Sequence, residues 1–318
     1  MDPITHTMAG AAMGRAGLDR RTPLAGVTLM LAANAPDIDI FSLWLGTYAS
    51  LAFRRGWTHG PLALVVLAVA LTGLVLGWDR LVRRRRDPSL APVDARWTFI
   101  LATAGVVSHP LLDLLNTYGI RLLMPFSGRW FYADAVFIID PWIWLMLGAA
   151  LILARRGAVL RTVQRVAGLA VAYVLVLLGL SAVGERMALS AAGSQGIGDV
   201  LEVLYQPSPT NPFAAQLIAV TADGYHVGAL SWLAADRIRF EGEVIRRGDW
   251  ADPRIARAVV HPDVRNYLVW SRYPWARIET TAAGVPATVV FGDARFPSGG
   301  MSGGLGGVRV SDSPPLSR

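Results

Sequence analysis

A histidine and an aspartate one helical turn apart can hold a metal ion or pass a proton, and this chain sets such a pair inside an apolar run. Residues 97–119 read WTFILATAGVVSHPLLDLLNTYG, with His109 and Asp113 in the second half. The i, i+4 spacing puts both side chains on one face of a helix. His59 stands at the mouth of the preceding apolar run, in Arg55-Gly56-Trp57-Thr58-His59-Gly60. Asp37 and Asp39 flank Ile38 just after Pro36, in a turn that can aim both carboxylates into one pocket. Ionisable groups at membrane depth are costly, and they usually face a polar interior that does chemistry or transport.

The chain has no cysteine, which excludes disulfides, thiolate ligands and a cysteine nucleophile together. Any metal must then sit on histidine nitrogen and carboxylate oxygen, a set that suits zinc at about 2.0–2.2 Å, with manganese the second choice. Three or four such ligands with one open position make a hydrolytic site, in which bound water of pKa ~7 is the nucleophile. Asp37 or Asp39 is placed to take its proton. Arg55, four residues before His59, suits a phosphate group through its planar fork. The same histidines and carboxylates would also serve a transporter or proton relay. A membrane scaffold that binds a partner through its C-terminal part is a third possibility. His226 and His261 have no companions at ligand spacing.

Hydrophobic residues make up 53% of the chain and charged residues 17%, below the roughly 25% charged share of soluble domains. Two short apolar segments, 4–17 and 24–35, are too short to cross a bilayer core of ~30 Å and predict partly inserted helices that protein must bury. Residues 61–78, 97–119, 137–154 and 163–184 predict four spans. The net charge of +7 lies wholly in residues 1–184, in short loops beside these runs. That distribution follows the positive-inside rule and gives no basic groove for nucleic acid. Segments 15–21, 79–96 and 155–165 hold 13 arginines, against 4 in 37–60 and 119–136. The first set is expected in the cytoplasm, which puts the candidate site and everything after residue 184 outside.

Beyond residue 185 short alternating runs replace the long apolar ones. Strands are expected at 216–221, 224–230, 237–244, 277–281 and 287–291, bounded by Gly, Pro and Asp turn signals. Residues 264–271 fit a helix or a strand. The expected organisation is a transmembrane helical bundle over 1–184, mainly α, then a small mostly β extracytoplasmic domain over 185–296, with 191–198 as a flexible joint. The Gly-, Ser- and Pro-rich stretch 297–318 reads as a disordered tail.

Taken together, several motifs resemble the membrane-bound metal-dependent hydrolase family, which is distantly similar to zinc-dependent phospholipase C. They are Thr5-His6, Pro36-Asp37-Ile38-Asp39, Arg55-Gly56-Trp57-Thr58-His59 and Ser108-His109 with Asp113. Leu115-Asn116-Thr117-Tyr118-Gly119, Pro125-Phe126-Ser127, Asp134 and Phe137-Ile138-Ile139-Asp140-Pro141 fit its longer bacterial members. So do Pro209-Thr210-Asn211-Pro212-Phe213, Trp270-Ser271-Arg272-Tyr273-Pro274-Trp275 and Gly292-Asp293-Ala294-Arg295-Phe296. The resemblance implies that His6, Asp37, His59, His109 and Asp113 are metal ligands or their close partners, with Asp39, Asp134 and Asp140 next. No histidine follows Asp113 until His226, so one or two metals are expected rather than three. The family name does not give the substrate; a phosphodiester or phospholipid-like molecule is the leading expectation, with membrane lipids in contact with the chain.

Overall fold

The computed structural model describes residues 1–242, 244–280, 287–296 and 305–311. The chain forms two compact units. The first comprises 1–39, 55–183 and 207–212; the second comprises 40–54, 184–206 and 213–318.

The first unit is helical. Its α1 (Pro3–Arg15) starts where the Asp2 carboxylate accepts the Ile4 and Thr5 N–H groups, with Pro3 at the first helical position. Gly17 ends the turn that follows at φ 122°, a conformation that costs glycine little. Helix α2 (Ala25–Asn34) lies against α1 and α6 (Ala95–Leu114). Close approach needs small residues there. A Cβ on Gly10 would stand 2.7 Å from the Leu29 carbonyl oxygen, and one on Gly105 would stand 3.0 Å from the same atom. This is how helices pack where lipid removes the hydrophobic drive between them.

Helix α4 (Pro61–Trp78) continues through a π turn into α5 (Arg84–Arg86). Arg83 pairs with Asp79 there, and Asp79 also accepts the Val93 N–H at 3.1 Å. Helix α7 (Pro141–Arg155) is capped by Asp140, which accepts the Trp142 and Ile143 N–H groups and the Tyr173 hydroxyl. Helix α8 (Leu160–Ser194) supplies residues up to 183 to this unit.

Among the described residues, three helices are long and apolar enough to cross a membrane: Pro61–Arg86, Ala95–Leu114 and Leu160–Ser194. The four expected spans thus become three, because α7 has only 15 residues once Asp140-Pro141 starts it late. The second span ends at Leu114 rather than 119. Pro110 inside it lacks the N–H that would bond back to Val106. Of the three, Ala95–Leu114 is the inner helix, with 44% of its apolar window buried against 11% and 17% for the others.

The second unit holds α3 (Thr47–Phe53), the last turns of α8, α9 (Pro253–Val259), α10 (Pro262–Trp270) and two sheets. Strands β1 (Glu202–Pro207), β2 (Ala214–Val220), β3 (Gly224–Ser231) and β4 (Ile238–Arg239) follow in order, with β5 (Val244–Arg246) also on β3. The β2–β3 hairpin is antiparallel, with Leu217 opposite Gly228. Strand β2 is buried on both faces: Leu217 joins Tyr205 and Leu230, while Ile218 joins Leu204 and Tyr273. In the second sheet β7 (Thr288–Asp293) pairs antiparallel with β6 (Pro274–Glu279) and β8 (Val308–Ser311).

Several expected bounds shift. The expected strand 237–244 is two short strands, 264–271 is helical, and Thr281 of the expected strand 277–281 lies outside the described residues. The first half of the predicted joint at 191–198 is instead the last turn of α8, and 195–198 turn away from it. Ala192 and Ile197 are buried with Ala219, and the Ile197 N–H bonds the Ala192 carbonyl at 3.0 Å. Small residues such as Gly184 and Ala188 let Tyr205 pack on that helix, which composition alone presents as flexibility. Of the predicted tail, 297–304 and 312–318 lie outside the described residues, while Val308–Ser311 is a strand.

Candidate metal centre

Four separated sequence elements meet in the first unit. Helix α1 brings His6, the 3-10 turn after α2 brings Asp37 and Asp39, the turn Trp57–His59 brings His59, and α6 brings His109 and Asp113. His6, His59, His109 and Asp113 are fully buried, whereas the Asp37 side chain stays 15% exposed. Two candidate ligand groups share His109: His6, His109 and Asp113, and Asp37, His59 and His109.

The hydrogen bonds fix the histidine tautomers. His109 Nδ1 lies 2.7 Å from the Ala33 carbonyl oxygen, which only accepts, so Nδ1 carries a proton and in the neutral ring Nε2 keeps its lone pair. Thr58 Oγ1 donates to Asp39 Oδ2 at 3.1 Å, and His59 Nδ1 sits 2.9 Å from that hydroxyl and 3.5 Å from the same carboxylate. His59 Nδ1–H is therefore the donor there, and its Nε2 also keeps a lone pair. The two Nε2 atoms face each other at 3.1 Å, and each is 3.5 Å from Asp113 Oδ2. Lone pairs and a carboxylate do not converge in a dry interior without a cation among them. Tetrahedral ligands at about 2.0–2.1 Å from one ion stand roughly 3.3 Å apart, close to these separations. The carbonyl and carboxylate behind the two rings are the outer partners that metal-binding histidines ordinarily have.

Asp113 has a dense cationic surrounding. His6 Nε2 is 3.3 Å from Oδ1, Arg55 Nε is 3.1 Å from Oδ2, and the Met1 amino group contacts Oδ1. Yet both Asp113 oxygens and both His6 nitrogens are buried without a hydrogen bond, so these approaches have ion-pair distance but not hydrogen-bond direction. The His6 ring stacks on His109 with centroids 3.8 Å apart. Such orphaned buried ligand atoms fit an ion.

Arg55 is itself strained and buried. It has φ 52°, uncommon outside glycine and asparagine. It is held there because its N–H donates to Asp39 Oδ2 at 2.8 Å and its carbonyl accepts from Arg121 N–H at 2.8 Å. Its guanidinium donates to Asn116 Oδ1 at 2.8 Å and lies over Tyr118 at 4.5 Å. Gly56 leaves room for what lies against it: a Cβ there would stand 2.6 Å from a guanidinium nitrogen of Arg121 and would displace that group. Arg121 lies over Trp130 at 4.9 Å, and burial, opposed by Tyr118 and Asp39, pulls its pKa down.

All five residues expected as ligands or partners come together, with Asp39 and Arg55 around them. Asp140 is the N-cap of α7, and Asp134 is a buried loop residue with φ 48°, outside both ligand groups among the described residues. His226 is in β3 and His261 caps α10, both in the second unit. Asn116, Arg121 and the Ala33 carbonyl are missed by sequence reasoning. A polar Asn-Thr-Tyr run closing an apolar span was the available signal for the first; for a carbonyl there is none.

No solved structure matches the chain. Among curated proteins the chain is similar to the "Uncharacterized protein YfhP" of Bacillus subtilis (strain 168), 25% identical over 240 residues, which is 72% of this chain and 68% of that one. A buried histidine–aspartate group able to hold a metal thus sits within residues 1–188, the part matched by the family model "YdjM inner membrane protein"; the chain belongs to that inner membrane family.

Proposed function

We propose that this protein is a membrane-embedded, metal-dependent hydrolase whose substrate is a phosphodiester of phospholipid-like type. What carries the proposal is the convergence of the His59 and His109 Nε2 lone pairs on Asp113. His59, His109 and Asp113 would hold a divalent metal, zinc or manganese, with His6 beside them. When bound, such an ion acidifies water and polarises a phosphoryl oxygen. Asp39 keeps His59 in its tautomer, and Arg55 offsets the Asp113 charge. Asp37, 3.7 Å from His109 Nε2 and partly exposed, is the proton acceptor, while Asp39 Oδ2 accepts from Thr58 and the Arg55 N–H. Arg121, flat against Gly56 and Trp130, contacts the phosphate.

Hydrolysis of a chromogenic phosphodiester by the detergent-purified full chain tests this. Turnover should require resupplied zinc or manganese and stop with chelator. Asp37→Asn should lower kcat by roughly 10²–10⁴-fold with metal retained, and Arg121→Lys should raise KM more than it lowers kcat. Metal binding without turnover of any ester, or solute flux in its place, would sink the proposal.

The proposal includes multiple passes and an outward-facing site. Orientation turns on α7. Its 15 residues extend about 22 Å, short of ~30 Å of hydrocarbon, yet only if α7 crosses do both arginine-rich ends of α4–α5 and α7–α8 lie in the cytoplasm. A periplasm-active reporter fused after Gly198 should then give signal, and one fused within Arg84–Arg86 should not. The reverse pattern would overturn both the topology and the outward site.

A further inference from the structure

We propose that the cleft enclosed by α1, α6, α7 and α8 is a binding site for one acyl chain of a bilayer phospholipid. The inference goes beyond hydrolysis and does not depend on it. The cavity has a volume of about 520 Å³ and lies wholly within the first unit. Small side chains create it: Ala9, Ala12 and Ala16 of α1 and Ala167, Gly168 and Ala170 of α8 line its walls, so the two helices leave a slot where larger residues would fill it.

The wall is almost wholly apolar and offers a ligand no free side-chain donor. Its hydroxyls belong to Thr5 and Ser108, and both are spent internally. Thr5 Oγ1 donates to Asp2 at 2.5 Å and accepts from Trp144 Nε1 at 2.8 Å, while Ser108 donates to the Gly105 carbonyl at 2.7 Å. Water, an ion or a polar metabolite would lose its hydrogen bonds on entry. Two of the walls, α6 and α8, are long and apolar enough to cross a membrane, which would put lipid hydrocarbon at the mouth. Moving an alkyl chain from there into the cleft gains no hydrophobic energy, so preference rests on dispersion contacts in a slot already shaped for a chain. Along α1 the lining runs from Thr5 to Ala16, about 16 Å of helix. Its upper end shares helical turns with the metal centre: Thr5 adjoins His6, and Leu112 adjoins Asp113. A chain held here keeps its lipid beside that centre.

The test reconstitutes the full chain in phosphatidylcholine vesicles doped with phosphatidylcholine carrying a diazirine in mid-chain. Photolysis and peptide mass spectrometry should place label on Ala12 or Met13. Ala12 is 4% exposed, beyond lipid that only surrounds the protein. Gly168→Trp should block the slot without backbone strain, since a Cβ at Gly168 meets nothing within 4 Å. Losing about ten carbon–carbon contacts should cut the Ala12–Met13 label roughly tenfold. Label on Val65 and Val66, exposed on α4, should not change. Label confined to such outward residues, or label unmoved by Gly168→Trp, would overturn the site. Metal content and phosphodiester turnover measured on the same vesicles are separate readouts: inert, metal-free protein that still labels Met13 ends the hydrolase proposal and leaves the cleft standing.

Discussion

His59→Ala and His109→Ala should each lower metal affinity by more than roughly 100-fold, the upper range for losing even an outer partner of a metal ligand. Each removes one of the two Nε2 atoms that stand 3.1 Å apart, and no thiolate exists to replace it. Asp113→Ala should do the same and also destabilise the first unit. It strips the carboxylate from Arg55, 3.1 Å away and buried, and an uncompensated buried charge costs about 3–5 kcal/mol. Asp113→Asn keeps the shape, so loss of metal with a normal helical circular dichroism signal would separate ligation from folding. Thr58→Ala should act more mildly, about 10–100-fold, because it only frees the Asp39–His59 orientation. His226→Ala and His261→Ala in the second unit should leave metal content unchanged. Equal metal content across all these variants would show that the cluster is not the binding site.

The second large effect lies in the second unit, where the Asp293 carboxylate ties β7 to the end of α10. It accepts from the Ser271 hydroxyl at 2.7 Å and from the Arg272 and Tyr273 N–H groups at 2.8 and 3.2 Å. Arg295 donates to it from Nε at 2.8 Å and Nη2 at 3.0 Å and lies over Trp270 at 4.5 Å. Burial alone would raise this carboxyl's pKa, but the Arg295 charge and these hydrogen bonds hold it below the usual carboxylate range. The folded value therefore lies under the unfolded one. The stabilisation is complete above about pH 4 and is lost as pH falls through the folded value. Arg295→Met leaves the carboxylate without its cation and should cost about 3–5 kcal/mol. Hydrogen exchange of the β7 amides in the full chain should speed accordingly, and exchange in α6 should not. Unchanged β7 protection would show that the pair is dispensable.

How much of this could be read from residues alone differs between the two units. His109 and Asp113 were legible because a periodic apolar helix makes an intruding polar pair conspicuous. His6 came only through resemblance, since α1 carries no span-length signal to set it against. That Asp39 turns toward His59 and the Arg55 backbone, while Asp37 keeps partial exposure, is decided by a 3-10 turn whose side-chain directions no period predicts. The strained φ of Arg55 and the role of Gly56 depend on Arg121, 66 and 65 residues away in sequence. In the second unit β2 and β3 were found by alternation and turn residues, but β8 was hidden in a Gly- and Ser-rich stretch. Only pairing with β7 orders its four residues, and pairing is a tertiary fact. The helix that continues past residue 184 was hidden for the converse reason: Gly and Ala read as a joint when they are a close-packing face.

The central claim is that the histidine–aspartate cluster holds a metal. Its most direct test is elemental analysis of the full chain, purified in mild detergent without chelator and then resupplied with zinc or manganese. The prediction is one or two equivalents per chain, retained through gel filtration and lost in His109→Ala. No stoichiometric metal in the wild-type chain would contradict it, and the buried His59–His109–Asp113 contact would then be a proton relay.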